Sequence, residues 1–172
     1  MKTLMLLRHA KSDWSAAGIA DHDRPLNARG DAAAIRMGQY LARENLWPDL
    51  VLCSTALRTR ETLAHLLDAC DRPPSVRYEK ALYLASPRAM LKFVQDASND
   101  LKSLMLIGHN PGTHSLANML AAAESKSARA ELAEKFPTGA LALLQFKGQW
   151  ADVIPGSGQL MRFIKPRSLG DV

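Results

Sequence analysis

Cysteine is scarce and long hydrophobic runs are missing, and both shortages limit the kinds of protein that this chain can be. Two of its 172 residues are cysteines, too few for a disulfide framework, so we expect reduced cytosolic thiols. No uninterrupted apolar stretch reaches the roughly eighteen residues of a membrane span. The apolar run near the N-terminus is only about five residues long and ends at Arg8 and His9, too short for a secretory signal. The sequence therefore predicts a cytoplasmic protein without a membrane partner.

Aromatic residues are also few, at 6% of the chain. Proteins that bind single-stranded nucleic acid interleave aromatic and basic residues, and this chain has no such tract. The formal net charge is +5, but the lysines and arginines are dispersed. We therefore expect a solvated basic surface that favours an anionic ligand, and no nucleic-acid partner.

Short apolar runs alternate with amphipathic stretches along the chain. Strands are predicted at 4–7, 50–53, 104–107, 140–146 and 161–164, and helices at 27–44, 56–69, 86–96 and 112–123. The Ala-, Glu- and Lys-rich stretch 124–137 fits either a short helix or a surface loop. This alternation predicts one three-layer α/β domain over residues 1–172, with a mostly parallel central sheet and helices on both faces.

Three of the predicted strands lead into residues suited to anion chemistry. The first strand runs into Arg8 and His9, the second turns into a helix bearing Arg58, and a later strand ends at His109. In open α/β sheets, ligands bind at the carboxyl ends of the strands. We therefore expect these four side chains to converge at one edge of the sheet.

Two arginines and two histidines around one point favour phosphoryl chemistry. A guanidinium group stays charged and binds phosphate oxygens bidentately, so Arg8 and Arg58 can stabilise a transferring phosphoryl group. A neutral histidine has a nitrogen lone pair and can act as nucleophile. A metal site is disfavoured because the flanking arginines would repel the ion. The remaining histidines, His22, His65 and His114, are interpreted as structural.

These motifs resemble the histidine phosphatase superfamily, also called the phosphoglycerate mutase-like family. Arg8-His9 matches its RHG motif with Ala10 in place of glycine, and residues 54–62 (STALRTRET) are similar to its S-x-L-x-R-A-x-x-T segment. Residues 23–30 (DRPLNARG) match the stretch before its first helix, and residues 108–110 (GHN) its second histidine. Within the family, the phrases RHAKSDW, STALRTRET and GHNPG are most similar to the SixA group of short phosphohistidine phosphatases, which act on histidine phosphotransfer domains.

The resemblance implies a phosphoglycerate mutase-like fold and a role in signal transduction. It assigns His9 as the nucleophile and Arg8, Arg58 and His109 as the phosphate pocket, with no metal and no other cofactor. The implied partner is a phosphorylated protein, such as a histidine phosphotransfer domain, or a small phosphate ester. Ser15 occupies the place of a phosphate-contacting asparagine in the family and is an additional substrate-binding candidate.

The usual proton donors of the family are missing. Leu84 stands where one branch has a glutamate, and Asn110 stands where the other has an aspartate. Glu79 lies nearby in sequence and is a candidate replacement. An alkoxide leaving group needs a positioned acid, whereas a phosphoramidate leaves readily once its nitrogen is protonated. We therefore expect a preference for P–N bonds or activated phosphates.

Several alternatives stay open on the sequence. A thiol phosphatase needs Cys-x5-Arg, but Cys53 precedes Arg58 and Arg60 by spacings of Cys-x4-Arg and Cys-x6-Arg. A broad phosphomonoesterase and a non-catalytic phosphoprotein-binding module both fit the arginine pair. Ser54 is predicted to cap the helix that follows it or to orient Arg58, with the cap favoured.

Overall fold

The chain folds around one six-stranded sheet. The computed structural model describes residues 1–124 and 126–170, and the strands are β1 (Lys2–Arg8), β2 (Leu50–Ser54), β3 (Ser75–Glu79), β4 (Ser103–Gly108), β5 (Leu141–Phe146) and β6 (Gln159–Ile164). Their spatial order is β3-β2-β4-β1-β5-β6. The first four strands in this order pair in parallel, β5 runs antiparallel to β1, and β6 runs antiparallel to β5. The predicted mostly parallel sheet is confirmed.

Within the described residues, five α-helices cover the two faces of the sheet: α1 (Ala28–Arg43), α2 (Leu57–Leu67), α3 (Pro87–Gln95), α4 (Gly112–Leu120) and α5 (Lys126–Glu134). On one face, buried side chains such as Met37 on α1 and Leu63 on α2 pack with Met5 and Ile107 of the sheet. On the opposite face, side chains of α3, α4 and α5 pack with alternate residues of the same strands. The single three-layer α/β domain is therefore present as expected.

Local signals explain where two helices begin. The Asn27 side chain accepts a hydrogen bond of 2.8 Å from the backbone N–H of Gly30 and caps α1. Ser86 caps α3 in the same way, accepting from Ala89 N at 3.1 Å. Such caps satisfy N–H groups that have no partner within the helix.

Element bounds differ from the sequence expectation in several places. Helix α4 ends at Leu120 rather than at 123, and α2 is shorter at both ends than 56–69. Strand β3 is not predicted by hydrophobic pattern because this strand at the edge of the sheet exposes most of its residues. The described part of the ambiguous stretch 124–137 contains α5, and its Leu132 and Phe136 are buried in the core. Position 125 of that stretch lies outside the described residues.

The strand order brings the predicted site residues to one place. Strand β4 lies between β1 and β2, and Arg8 at the end of β1 is opposite Gly108 at the end of β4. The residues that follow these two strands, His9 and His109, are therefore neighbours at the carboxyl edge of the sheet. Across both described ranges, 1–124 and 126–170, no helix is long and apolar enough to cross a bilayer.

Candidate active site

A pocket of about 460 Å³ opens at the carboxyl edge of the parallel strands. Its walls contain the four residues predicted to converge there, which are Arg8, His9, Arg58 and His109. These residues come from two strand ends and one helix, and they are separated by up to about a hundred positions in the chain. The topology alone makes them neighbours.

The hydrogen bond of His9 defines which of its nitrogens can react. Its Nδ1 lies 2.7 Å from the carbonyl oxygen of Ala10. A carbonyl only accepts, so Nδ1 carries the proton and Nε2 keeps its lone pair. Burial, together with the nearby Arg58 and Arg8 charges, lowers the pKa of His9 to about 4. The imidazole is therefore neutral near pH 7 and its Nε2 is available as a nucleophile.

Backbone hydrogen bonds hold His9 in place. Its own N–H donates to the Gly108 carbonyl at 3.1 Å, and the N–H of Gly139 is shared between the carbonyls of Arg8, at 3.0 Å, and His9, at 2.9 Å. The N–H of Ala10 donates to Thr62 Oγ1 at 3.0 Å. The peptide that orients the imidazole is thus anchored to β4, to α2 and to the turn before β5.

Arg58 enters the pocket from the first turn of α2 and is almost completely buried. Both of its terminal nitrogens contact Asp21: Nη1 donates to the backbone carbonyl at 2.7 Å and Nη2 to the carboxylate at 3.0 Å. The Asp21 carboxylate also accepts a short hydrogen bond from the hydroxyl of Tyr83. Bonds from Tyr83 and Arg58 lower the pKa of Asp21, so this carboxylate is ionised.

Arg8 is positioned from the other side of the pocket by the segment that follows α5. Its Nη1 donates to the backbone carbonyl of Phe136 at 3.0 Å, and Asn110 Nδ2 donates to the same oxygen at 3.0 Å. The Phe136 ring is buried in the core, which fixes this carbonyl. Asn110 therefore acts as a support for the segment that holds Arg8, and an amide cannot supply the proton of the family's aspartate.

His109 is held by Ser54 at the end of β2. Its Nε2 lies 2.7 Å from Ser54 Oγ, while its buried Nδ1 has no hydrogen-bond partner within the described residues. The pKa of His109 is lowered to about 3, mainly by burial and further by the nearby His9 and Arg58. This ring is therefore also neutral near pH 7. The His9 and His109 rings lie 5.3 Å apart. Ser54 makes no capping bond to the first turn of α2, so the favoured capping role is wrong.

Leu84 occupies the rim of the pocket in an unusual conformation. Its backbone φ is +50° and its side chain is 56% exposed. Left-handed backbone is costly for a branched hydrophobic residue, and such outliers cluster at functional sites. Glu79, the sequence candidate for the missing acid, instead pairs with Arg77 at 2.5 Å and lies outside the pocket lining. Of the described residues that line the pocket, Asp21 alone carries a carboxyl group.

Two further candidates from the sequence lie away from the pocket. Ser15 is exposed in the loop after β1, where its N–H donates to Asp13 at 2.8 Å, and it does not line the pocket. Cys53 is fully buried in the core beneath α1 and α2, and burial raises the pKa of its thiol to about 12. A thiolate nucleophile at this position is incompatible with that environment.

The histidines interpreted as structural have local partners. His65 Nε2 lies 2.9 Å from the Asp31 carboxylate, and His114 Nε2 lies 2.5 Å from the Leu132 carbonyl. His22 lies closer to the site, 2.9 Å from Thr55 Oγ1 and with its ring against the edge of Tyr83.

Sequence reasoning missed Asp21, Tyr83 and the Phe136 carbonyl. Asp21 stands two positions before the DRPLNARG stretch. Its closeness to this motif is the one feature of the sequence that could have indicated a place in the site. The backbone carbonyl of Phe136 has no signal in the sequence, because every residue carries one.

The fold and the pocket define a class: an α/β protein that presents a neutral histidine beside two arginines. A family model for the histidine phosphatase superfamily, branch 1, matches residues 4–82. The chain belongs to the histidine phosphatase superfamily, and the likeness supports a phosphatase.

Similarity to other proteins extends along nearly the whole chain. An uncharacterized protein of Mycobacterium tuberculosis is 42% identical over 163 residues, covering 94% of this chain and 100% of the relative. A solved structure from Nakamurella multipartitia, described as a phosphohistidine phosphatase SixA, is 33% identical, covers 96% of each chain and has a TM-score of 0.83. A second structure with that description, from Agrobacterium tumefaciens, is 32% identical, covers 96% of this chain and 98% of its own, and has a TM-score of 0.80.

Proposed function

We propose that this phosphatase hydrolyses phosphohistidine on a protein, such as a histidine phosphotransfer domain, through a phosphorylated His9. The observation that carries this proposal is a pocket with a free imidazole Nε2 and, among its described lining residues, no protonated acid for the leaving group. The solved relatives described as phosphohistidine phosphatases support the same substrate class.

In the first step, Nε2 of His9 attacks the phosphorus in line with the bond to the substrate imidazole. A new N–P bond forms and the substrate N–P bond breaks. The leaving nitrogen keeps the bonding electron pair, and the other nitrogen of the substrate ring carries a proton from solvent, so the imidazole leaves neutral. Arg8 and Arg58 bind the equatorial oxygens, whose charge they are suited to stabilise. His109 lines the same pocket, and we assign to it a hydrogen bond to a phosphoryl oxygen.

In the second step, water attacks the phosphorus of phospho-His9. The His9 N–P bond breaks, the lone pair returns to Nε2, and inorganic phosphate leaves. The ionised Asp21 carboxylate lines the same pocket, and we assign to it the proton released by the attacking water. The hydrogen bond from Nδ1 to Ala10 keeps the histidine in the reactive tautomer throughout.

The missing acid favours cleavage of the P–N bond of phosphohistidine over the P–O bond of an alkyl phosphate. An alkyl phosphate must expel an alkoxide, and the positions that supply an acid in the family hold Leu84 and Asn110. A positioned acid contributes about 10²–10⁴-fold, so alkyl phosphates lose that factor here. A protonated imidazole needs no such assistance.

Two measurements test this function. Rapid quenching with a 32P-phosphohistidine peptide should trap acid-labile label on the wild type and none on His9→Ala. A substrate panel should rank phosphohistidine peptide and an aryl phosphate above sugar phosphates. Fast turnover of sugar phosphates would instead establish a broad phosphomonoesterase, and binding of the phosphopeptide without turnover would establish a phosphoprotein-binding module.

A further inference from the structure

A second, strongly basic cleft of about 340 Å³ adjoins the catalytic pocket. Five cationic side chains line it, from Lys11, Arg29, Arg36, Lys165 and Arg167, and none of its described lining residues is acidic. Lys11 and Thr138 line both the cleft and the catalytic pocket. The two cavities therefore form one continuous surface at the carboxyl edge of the sheet.

Close backbone approaches build this cleft. A Cβ on Gly30 would lie 2.1 Å from the Lys11 carbonyl oxygen, so the first turn of α1 rests directly on the segment after His9. A Cβ on Gly139 would lie 2.9 Å from Pro166, which brings the turn bearing Arg167 against the catalytic motif. Gly139 also donates its N–H to the carbonyls of Arg8 and His9. The backbone segments that bear the cations are thus packed against, or hydrogen-bonded to, the segment that contains His9.

The position of Arg29 conflicts with helix electrostatics. It lies in the first turn of α1, where the helix dipole favours acidic side chains and disfavours cations. A cation that weakens its own helix indicates a role other than folding. Lys165 forms an ion pair with Glu131 at 3.1 Å, and that glutamate lies mainly in solvent.

Two exposed apolar side chains at the catalytic pocket indicate that the ligand is a protein. Trp14 is 72% exposed, with its ring stacked 3.7 Å from the guanidinium of Arg24, and the exposed Leu84 also lines the pocket. Exposed aromatic and aliphatic side chains beside a basic surface fit a folded partner with an acidic face.

We propose that the cleft of Lys11, Arg29, Arg36, Lys165 and Arg167 binds carboxylates on the surface of the phosphorylated protein substrate and steers its phosphohistidine to His9. This inference rests on the proposed function for its substrate class. It adds a docking site outside the catalytic pocket that governs substrate capture and leaves the chemical steps unchanged. Attraction between opposite surface charges raises the association rate and is screened by salt. Capture of the protein substrate should therefore depend on the cleft cations and on ionic strength.

The test compares two substrates in a double variant, Arg29→Glu/Arg167→Glu. The probes are a histidine-phosphorylated phosphotransfer domain of net negative charge and a short phosphohistidine peptide whose only charged side chain is the phosphohistidine. We expect kcat/KM for the domain to fall by about tenfold or more, with a weaker salt dependence. Turnover of the peptide should stay within about twofold, because neither residue lines the catalytic pocket. Glutamate at 29 also suits the helix dipole, so the variant should fold.

A matched control carries the same change in net charge at the opposite edge of the sheet. Arg72→Glu/Lys147→Glu replaces two exposed cations remote from the cleft and should leave both substrates unaffected. Equal losses in the control and the cleft variant, or equal losses for domain and peptide, would overturn the docking site. Loss of turnover only for a small bisphosphate would also overturn it, in favour of a second phosphate subsite.

Binding to His9→Ala separates docking from catalysis. Calorimetry with the phosphorylated domain should give a Kd that rises about tenfold when the cleft substitutions are added. If the wild type hydrolyses no phosphohistidine but this cleft-dependent binding persists, the proposed function fails and the docking site stands. If the peptide is hydrolysed and the domain binds equally well without the cleft cations, the docking site alone fails.

Discussion

Ser54 Oγ lies 2.7 Å from Nε2 of His109, and both groups are buried. The hydroxyl also accepts from the N–H of Ala56 at 3.3 Å. Ser54 thereby links the end of β2 to the residue after β4 and fixes the plane of the second imidazole. It is a positioning residue for the site.

Removing this hydroxyl should impair turnover more than folding. In Ser54→Ala, the His109 ring loses its orienting bond, and a buried hydrogen bond is worth about 1–3 kcal/mol when one partner is left unsatisfied. We expect kcat/KM for a phosphohistidine peptide to fall by about tenfold. Ser103→Ala, which removes a hydroxyl bonded to Asp49 N at the other edge of the sheet, is the control and should keep full activity. Equal activity of both variants would dismiss the positioning role.

The lowered pKa values of His9 and His109 predict how the protein responds to acid. Their folded pKa values are about 4 and about 3, below the ordinary value of about 6.5. At pH values between the folded and the unfolded pKa, the unfolded chain binds more protons than the folded chain. The free energy of unfolding therefore falls as the pH drops below about 6.5. Each histidine should remove about 2 kcal/mol by pH 5.

Two measurements check this acid response. NMR titration should show the ring signals of both histidines unchanged from pH 8 to pH 5, and urea unfolding should give a lower free energy of unfolding at pH 5 than at pH 7.5. A His9 titration midpoint near 6.5 would contradict the buried neutral imidazole.

An acid introduced at the pocket rim should broaden the substrate range. Leu84→Glu places a carboxyl group at the rim position that corresponds to the glutamate of one branch of the histidine phosphatase family. Because an alkoxide leaving group benefits from a positioned acid, kcat for an alkyl phosphate should rise by about tenfold or more. Phosphohistidine turnover should hardly change. Leu84→Gln, which has the same shape without the acid, is the control, and an equal gain in the glutamine variant would refute the leaving-group explanation.

The contact between Gly112 and Ala85 predicts a large loss of stability on a small substitution. A Cβ at Gly112 would lie 2.1 Å from the Ala85 carbonyl oxygen, whereas a Cβ at Gly108 would meet its nearest atom only at 3.3 Å. Gly112→Ala must displace the backbone beside Leu84, and we expect a loss of about 2–3 kcal/mol. Gly108→Ala should cost clearly less. Urea unfolding of the two variants measures the difference, and similar midpoints would show that the Ala85 backbone moves freely.

The sequence predicted those parts of the site that side-chain type and strand ends determine. Arg8, His9, Arg58 and His109 could be placed together because parallel strands end at one edge. The hydrogen bonds that position these side chains could not be predicted from the sequence. The Phe136 carbonyl that holds Arg8 has no distinctive side chain, and the Asp21 contact with Arg58 depends on the path of the loop at 9–20. Strand β3 lacked a hydrophobic pattern because little of it is buried.

The insertion of β4 between β1 and β2 has a consequence for biosynthesis. Strands β1 and β2, which lead to Arg8 and Arg58, do not pair with each other, and each instead pairs with β4, which is synthesised later. On the ribosome, the first half of the chain therefore lacks the strand that joins them until residues 103–108 emerge. Such long-range closure slows folding, and His9 and Arg58 come together only when the nascent chain is well past its midpoint.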